Sequence, residues 1–362
     1  MQQFCVGGCI RDVLLDLNPK DIDYVWTGIT PDFLLSKGML QVGNDFPVFL
    51  DKDGNEHALA RTERKTGSGY NGFVCHFNPD ITIEQDLERR DLTINSMAVK
   101  IEDWNFFKQT KDLSLLIDPY NGLFDLQSKV LKPTSDAFAE DPIRVLRIAR
   151  FAARYNFKIP TDVTDKMRSI VHELNDVPSE RIWTEFNKGL SEEYPDIMFL
   201  ELYKCGVFEL DKLRPFKSVD ISALQRTTKD TPISYKFTVC SKGFLIDDDY
   251  DQLSIPGDCK KLSVLFNKHY NSIVRYLDLS ASDKLNMFMD LRVFNDVSLL
   301  ESMLNIMRLV NPHKLYIVLN EIMSDIHKIK QVNVQEIVNS SKDGQDIKRK
   351  LFQARSEILV KY

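Results

Sequence analysis

Apolar residues change their rhythm along this chain. Near the N-terminus they come in short runs closed by turn formers: Phe4-Cys5-Val6 stops at Gly7-Gly8, and Ile22 to Trp26 is β-branched and aromatic. Such runs predict strands. Val48-Phe49-Leu50 and His57 to Ala60 flank Asp53-Gly54, a hairpin signal because glycine readily takes positive φ. Roughly the first 125 residues therefore predict a mixed α+β region.

From about Asp125 a helical period takes over. Arg144, Arg147, Arg150 and Arg154 recur at steps of three, three and four, with Val145, Leu146, Ile148, Ala149 and Phe151 between them. At about 100° per residue those arginines share an arc of about 120°. Asp176 and Pro178 predict the start of a further helix, and Cys205-Gly206 the close of the next. Beyond Gly206 the pattern weakens through Lys229 to Pro232 and Asp247 to Gly257. It then resumes with an apolar face through Leu299, Leu300, Met303, Leu304, Ile306, Met307 and Val310. The acidic run Asp247 to Asp251 reads as a solvated loop, and no tandem repeat is visible.

Composition narrows the class. With 362 residues, 43% hydrophobic and 28% charged, the chain is neither disordered, collagen-like nor a disulfide miniprotein. The net charge of -6 means that any RNA or nucleotide site must be a local patch. The six cysteines form no CxxC pair, so reduced thiols in a cytosolic protein are expected, without disulfides or structural zinc. Gly7-Gly8 and Arg11-Asp12 interrupt what would be the apolar core of a signal peptide. No stretch of 18 apolar residues suggests a membrane span, so a soluble protein is expected.

Four constellations carry possible chemistry. Gly7-Gly8-Cys9-Ile10-Arg11-Asp12 follows a strand, where glycines let backbone N–H groups approach a phosphate. Asp21 and Asp23 in Lys20-Asp21-Ile22-Asp23 fall on one face at strand spacing. Two carboxylates about 5 Å apart repel by roughly 3 kcal/mol at an effective dielectric of 20, so a buried pair needs a cation or a shared proton. Mg²⁺ suits an all-oxygen site that also uses substrate phosphates. The third is Asp86 to Asn95, with Arg89-Arg90 flanked by acids, which on its own reads as a salt-bridged helix start. The fourth, Glu140-Asp141-Pro142-Ile143-Arg144, opens the arginine-striped helix with acids and a proline at its N-terminus. Together they supply what nucleotidyl transfer requires: a phosphate-approaching turn, a metal-binding carboxylate pair and arginines for a triphosphate.

These residues resemble the class II tRNA nucleotidyltransferases, the CCA-adding enzymes, with close similarity to the gamma-proteobacterial kind. The matching stretches are Val6 to Asp12, Asp21-Ile22-Asp23, Val42 to Leu50, Ala58 to Lys65, Arg89 to Asn95, Asp118 to Leu123 and Glu140 to Arg147, spread over about residues 1 to 205. The resemblance implies a polymerase beta-like nucleotidyltransferase head with a small mixed sheet at 1–125. A helical neck with the nucleotide-selecting motif would follow at 126–206, and an all-α body and tail for tRNA at 207–362. It implies that Asp21 and Asp23 hold Mg²⁺, and that Gly8, Arg11, Arg90, Arg144 and Arg147 bind CTP or ATP. Asp141 and Arg144 would act as a protein template for the base. Glu56 is the candidate third carboxylate, with a solvent-facing glutamate as the alternative reading. Arg61 to Phe73 resembles the family's flexible loop for the switch from CTP to ATP. A cytoplasmic enzyme with no membrane or protein partner is expected.

The C-terminal half departs from that pattern. Where gamma-proteobacterial relatives carry a His-Asp dipeptide of a phosphohydrolase domain, this chain has Ser241-Lys242 after Tyr235 to Cys240, so no phosphohydrolase activity is expected. Lys342, Lys348, Arg349, Lys350 and Arg355 form a candidate RNA-facing cluster, or a solvated helix face. Two rival readings stay open: a poly(A) polymerase on the same head, and a catalytically silent RNA-binding protein.

Overall fold

The computed structural model describes residues 1–42, 48–65, 73–244 and 253–360. Part of the stretch at Val42 to Leu50, the centre of Arg61 to Phe73 and the acidic run at Asp247 lie outside them. The chain divides into two compact units, Met1–Leu210 and Asp211–Tyr362.

The first unit is built on strands β1 (Gln2–Val6), β2 (Asp23–Thr27), β3 (Leu40–Val42), β4 (Val48–Leu50), β5 (Glu56–Leu59) and β8 (Ala98–Lys100). They form one sheet in the order β3-β4-β5-β2-β1-β8, and β6 (Thr62–Lys65) pairs with β7 (Phe73–His76) apart from it. Only β2 and β5 run parallel, with Tyr24 opposite His57; the other neighbours are antiparallel. The Asp53-Gly54 hairpin is present between β4 and β5, with Gly54 at φ +82°. Strand alternation sorts the core into two layers. Phe4, Val6 and Val25 pack with Ile83 and Leu87 of α3 (Ile83–Glu88), while Phe49 and Leu59 pack with Leu34 of α2 (Pro31–Ser36).

Between β1 and β2 lies α1 (Gly8–Leu14); α4 (Trp104–Thr110) and α5 (Gly122–Gln127) follow β8. The arginine-striped segment is α6 (Ile143–Tyr155), closed by Asn156 in the left-handed region. Val145, Leu146, Ile148, Ala149 and Ala152 are fully buried, and α6 packs on α8 (Ser179–Leu190) and α9 (Pro195–Lys204), beyond α7 (Thr161–Ile170). Burying each large aliphatic side chain contributes about 1.5–3 kcal/mol, which fixes α6 firmly enough to aim its polar edge. Helices starting after Pro178 and ending at Cys205-Gly206 are as expected.

The second unit is entirely helical among its described residues: α10 (Ile221–Leu224), α11 (Ile233–Cys240), α12 (Gly257–Val274), α13 (Ala281–Asp290), α14 (Ser298–Val310), α15 (Pro312–Lys330), α16 (Val334–Asn339) and α17 (Gly344–Val360). Buried Asp325 accepts hydrogen bonds from Lys284 Nζ at 3.0 Å and Tyr276 Oη at 2.9 Å, pairing the interior charge as burial demands. After α11, the Ser241 hydroxyl lies 2.7 Å from that of Ser263, and Asn267 Nδ2 donates to the Ser241 carbonyl at 3.0 Å. In the basic cluster, Arg349 and Lys350 pair with Asp346, and Arg355 lies 3.6 Å over the Phe294 ring. An α+β head with a small mixed sheet and a helical remainder is the architecture expected from the chain's pattern.

Candidate active site

The turn after β1 is shaped by what crowds it. Gly7 has φ +72°, and its N–H donates to the Met97 carbonyl at 2.9 Å. A Cβ there would stand 2.8 Å from Arg90 Nη1, so both backbone and space demand glycine. Gly8 opens α1, and a Cβ on it would stand 3.3 Å from Arg11 Nη2. Arg11 points inward. Only 4% of it is exposed, and its guanidinium donates to Asp12 at 2.7 Å and 3.0 Å and to Asn95 Oδ1. The Phe151 and Tyr155 rings stand 5.4 and 5.2 Å from it. In this structure Arg11 therefore braces the turn from beneath.

Asp23 is the first residue of β2, opposite Val6, and Asp21 comes two residues earlier. Both keep surface open to solvent. The surrounding protein mass nevertheless raises the Asp23 carboxyl above the usual range; Arg90 opposes this rise and Asp21 adds to it. A neighbouring acid and partial desolvation are what a bound cation would relieve. The donors are all oxygens, which fits Mg²⁺ with its other positions left to phosphates and water. Glu56 stands exposed at the start of β5. Among the described residues no group of three or more His, Cys, Asp or Glu side chains gathers as a metal site, so Glu56 is not drawn to the pair.

Arg90 links this edge to a cleft of about 390 Å³ that it lines with Asp91, Asp141, Arg144, Arg147 and Arg181, among others. A larger cleft of about 760 Å³, lined by Tyr120, Lys132, Lys166 and Arg89 among others, contains none of the expected site residues, so the chemistry is assigned to the smaller. The Arg pair is salt-bridged, as its reading in isolation has it, but follows the end of a helix rather than starting one. The helix opens earlier, at a Thr82–Gln85 capping box, and ends at Glu88 with Arg89 as its C-cap, and buried Asp86 draws both guanidiniums back along it. Asp86 accepts from Arg89 at 2.8 Å and Arg90 at 3.1 Å. Its burial would raise the carboxyl, but the two cations outweigh it and hold it low. Arg90 Nε is buried without a hydrogen-bond partner among the described residues.

Along α6 the four arginines differ. Arg144 donates Nη1 to the Ala137 carbonyl at 2.9 Å and Nη2 to the Arg89 carbonyl at 2.8 Å. Those bonds fix its plane and leave about three of its five N–H groups for a ligand. Arg147 is held by Asp91, at 2.9 Å from Nε and 2.7 Å from Nη2, with Glu185 at 3.6 Å. Asp91 is disfavoured as an anion by burial, but Arg147 and Asn95 hold its carboxyl well below the usual range. Arg150 is buried against Glu185 at 2.7 Å, and Arg154 lies near Asp12.

Asp141 precedes α6. Its Oδ1 accepts the Ile143 N–H at 3.2 Å, and its Oδ2 accepts from Arg181 Nη2 of α8 at 3.0 Å. Sequence reasoning missed Arg181: it sits in the first turn of α8, 40 residues from its partner, and no spacing announces such a pairing. The cleft thus brings together Arg90, Asp141, Arg144 and Arg147, with Arg90 leading to Gly7 and Asp23; Arg11 stays beneath.

A polymerase-type head followed by RNA-associated helices is what residue-level comparison finds. Residues 3–132 match the poly A polymerase head domain, and residues 156–210 match the probable RNA and SrmB-binding site of polymerase A. A Multifunctional CCA protein of Psychromonas ingrahamii is 40% identical over 80% of this chain and 79% of its own length. One of Pseudoalteromonas atlantica is 35% identical over 98% of both, so the likeness runs past residue 205. A CCA-adding enzyme of Blochmanniella floridana is 33% identical over 99% of this chain and 97% of its own. The chain belongs to the CCA-adding enzyme family. Its fold is shared with a solved Thermotoga maritima CCA-adding enzyme complexed with tRNA, at TM-score 0.65 and 21% identity over 98% of this chain and 86% of that one. A CCA-adding enzyme complexed with ATP gives TM-score 0.68 and 21% identity over 99% and 86%.

Proposed function

We propose that this chain adds CCA to the 3′ end of tRNA from CTP and ATP, with protein side chains in place of a nucleic-acid template. The observation that carries the proposal is the pair Asp141 and Arg144 on one wall of the cleft, an oriented acceptor beside an oriented donor with N–H groups to spare. Cytosine and adenine each present an amino donor next to a ring-nitrogen acceptor on the Watson–Crick edge. A carboxylate and a guanidinium match that pattern, whereas uracil and guanine invert part of it.

In this reading the tRNA 3′-hydroxyl attacks the α-phosphate in line; the new phosphodiester forms as the bond to the β-phosphate breaks and pyrophosphate leaves. Asp21 and Asp23 would hold Mg²⁺, which when bound lowers the barrier by activating the hydroxyl and stabilising the leaving group. Arg90 neutralises triphosphate charge beside Gly7, and Gly7-Gly8 let the chain approach the phosphates closely. Arg144 and Asp141 select the base. The head, neck and body divide near residues 125 and 206, and helices past 206 meet the tRNA by phosphate contacts and shape. We also place the activity in the cytoplasm; no helix among the described residues is long and apolar enough to cross a membrane. Phosphohydrolase chemistry is not expected in the second unit, where Ser241, Ser263 and Asn267 bond to one another.

The test is extension of one tRNA prepared without CCA, ending in C and ending in CC, with Mg²⁺ and CTP or ATP, separately and together. Two C additions followed by one A, and then arrest, are expected. Long A tails would assign the chain to poly(A) polymerases, and binding without extension to silent RNA-binding proteins.

A further inference from the structure

Asn95 lies between a residue that supports the glycine turn and one that holds α6, and bonds to both. Its Oδ1 accepts a hydrogen bond from Arg11 Nη1, and its Nδ2 donates to Asp91 Oδ1 at 3.0 Å. Arg11 supports the glycine turn: its Nη2 is the nearest atom to a Cβ built on Gly8. Asp91 in turn receives Arg147 through its other oxygen, at 2.7 and 2.9 Å, and Arg147 stands one helical turn along α6 from Arg144. The Asn95 carbonyl also lies 3.4 Å from a Cβ built on Gly7, and the Leu92 N–H anchors Asp91 Oδ1 at 2.9 Å. Arg11, Asp91 and Asn95 are each at least nine-tenths buried, so water cannot substitute readily for any of these bonds.

An amide is the side chain that suits this place. One side must accept from a guanidinium and the other must donate to a carboxylate. Aspartate offers no donor when ionised, and an aliphatic residue offers neither. We propose that Asn95 is a positioning residue that ties the phosphate-side turn to the base-reading helix through the series Arg11, Asn95, Asp91 and Arg147. The proposal rests on the reading of Asp141 and Arg144 as base selectors. Its consequence is that base fit on α6 and phosphate placement at Gly7-Gly8 are mechanically joined. A mismatched base then displaces the α-phosphate from in-line geometry and is rejected in turnover more than in binding.

The experiment uses the full chain with tRNA ending in C, and measures kcat and KM for CTP and UTP together with thermal unfolding. Asn95→Leu and the isosteric Asn95→Asp break the series at its centre. Arg147→Lys, at a partly exposed position, loosens it from the other end. The expected result is a kcat for CTP lower by on the order of tenfold, with KM changed less than about threefold, and a CTP-over-UTP preference reduced by a similar factor. Arg144→Ala serves as the control for the base-selecting reading. If it shifts the preference while all three relay variants keep the wild-type preference and lose only thermal stability, the relay is overturned and the site reading stands. If Arg144→Ala leaves the preference unchanged, the site reading itself fails and the relay fails with it. Should Asn95→Leu not fold, Asn95→Asp and Arg147→Lys decide the matter between them.

Discussion

Arg181 of α8 holds the carboxylate of Asp141, Nη2 to Oδ2 at 3.0 Å, so the acceptor at the head of α6 is aimed by a residue of another helix. Removing the guanidinium frees the carboxylate to rotate about its χ angles. Arg181→Ala is expected to lower kcat/KM for CTP and ATP by about tenfold, the range for losing a charge-assisted hydrogen bond. Steady-state kinetics with both nucleotides check this, and unaltered values for both would show that Asp141 needs no such support.

Asp21→Ala should abolish nucleotide addition while tRNA binding stays within a few fold, because the lost carboxylate serves the reacting phosphates and not the RNA surface. Gel-shift titration beside a primer-extension assay separates the two. Normal turnover in the variant would remove Asp21 from the metal site.

Arg144 keeps its plane by two carbonyl bonds and has donors left over. Arg144→Ala is therefore expected to relax the choice of nucleotide more than it weakens binding of the triphosphate. Competition between CTP, ATP, UTP and GTP reads this directly; unchanged discrimination against UTP and GTP would sink the template assignment.

Acid should unfasten the neck. Burial opposes ionisation of Asp91, but Arg147 and Asn95 bring its folded pKa below that of an unfolded aspartate, near about 3.9. Stability from this group is then fully present above about pH 4 and is lost as pH falls towards the lower folded value. Urea midpoints at pH 6 and pH 3 should fall less steeply in Asp91→Asn than in the wild type. Equal slopes would mean that Asp91 titrates as it does when unfolded.

Gly122 has no room for a side chain: a Cβ would stand 2.2 Å from the Thr93 carbonyl oxygen. Gly122→Ala should destabilise by about 2–3 kcal/mol through overpacking against backbone. Gly38 has positive φ but open space around it, and Gly38→Ala should cost only about 1 kcal/mol from backbone strain. Parallel thermal melts compare them; a larger loss at Gly38 would refute the steric account.

Local rules made much of this legible beforehand. β1 and β2 announce themselves because central strands are apolar, and α6 because its arginines repeat against a buried face. Sheet order was not readable: the parallel pairing of β2 with β5 depends on contacts far apart in sequence. Arg89 and Arg90 were read as a helix start because local charge pattern cannot show that Asp86 is buried and attracts both. Arg11 and Arg147 are expected as ligand-binding cations from the resemblance, and local pattern does not show that Asp12, Asn95 and Asp91 hold their guanidiniums as well. Arg181 left no local trace at all, since its partner belongs to another helix.

The place of β1 in the sheet has a consequence for how the chain is made. β1 pairs with β2 on one side and with β8 on the other, and about seventy residues separate the end of β2 from the start of β8. At about 5–20 residues per second on the ribosome, the β1–β2 ribbon waits roughly 4–14 seconds with one edge unsatisfied before β8 emerges. Asp23 begins β2 on that waiting ribbon and Asp21 just precedes it, so both acids emerge before the Arg90 segment that balances them, while the open edge is that of β1. Slowed synthesis between residues 27 and 98 would lengthen the period in which this edge can pair with another nascent chain.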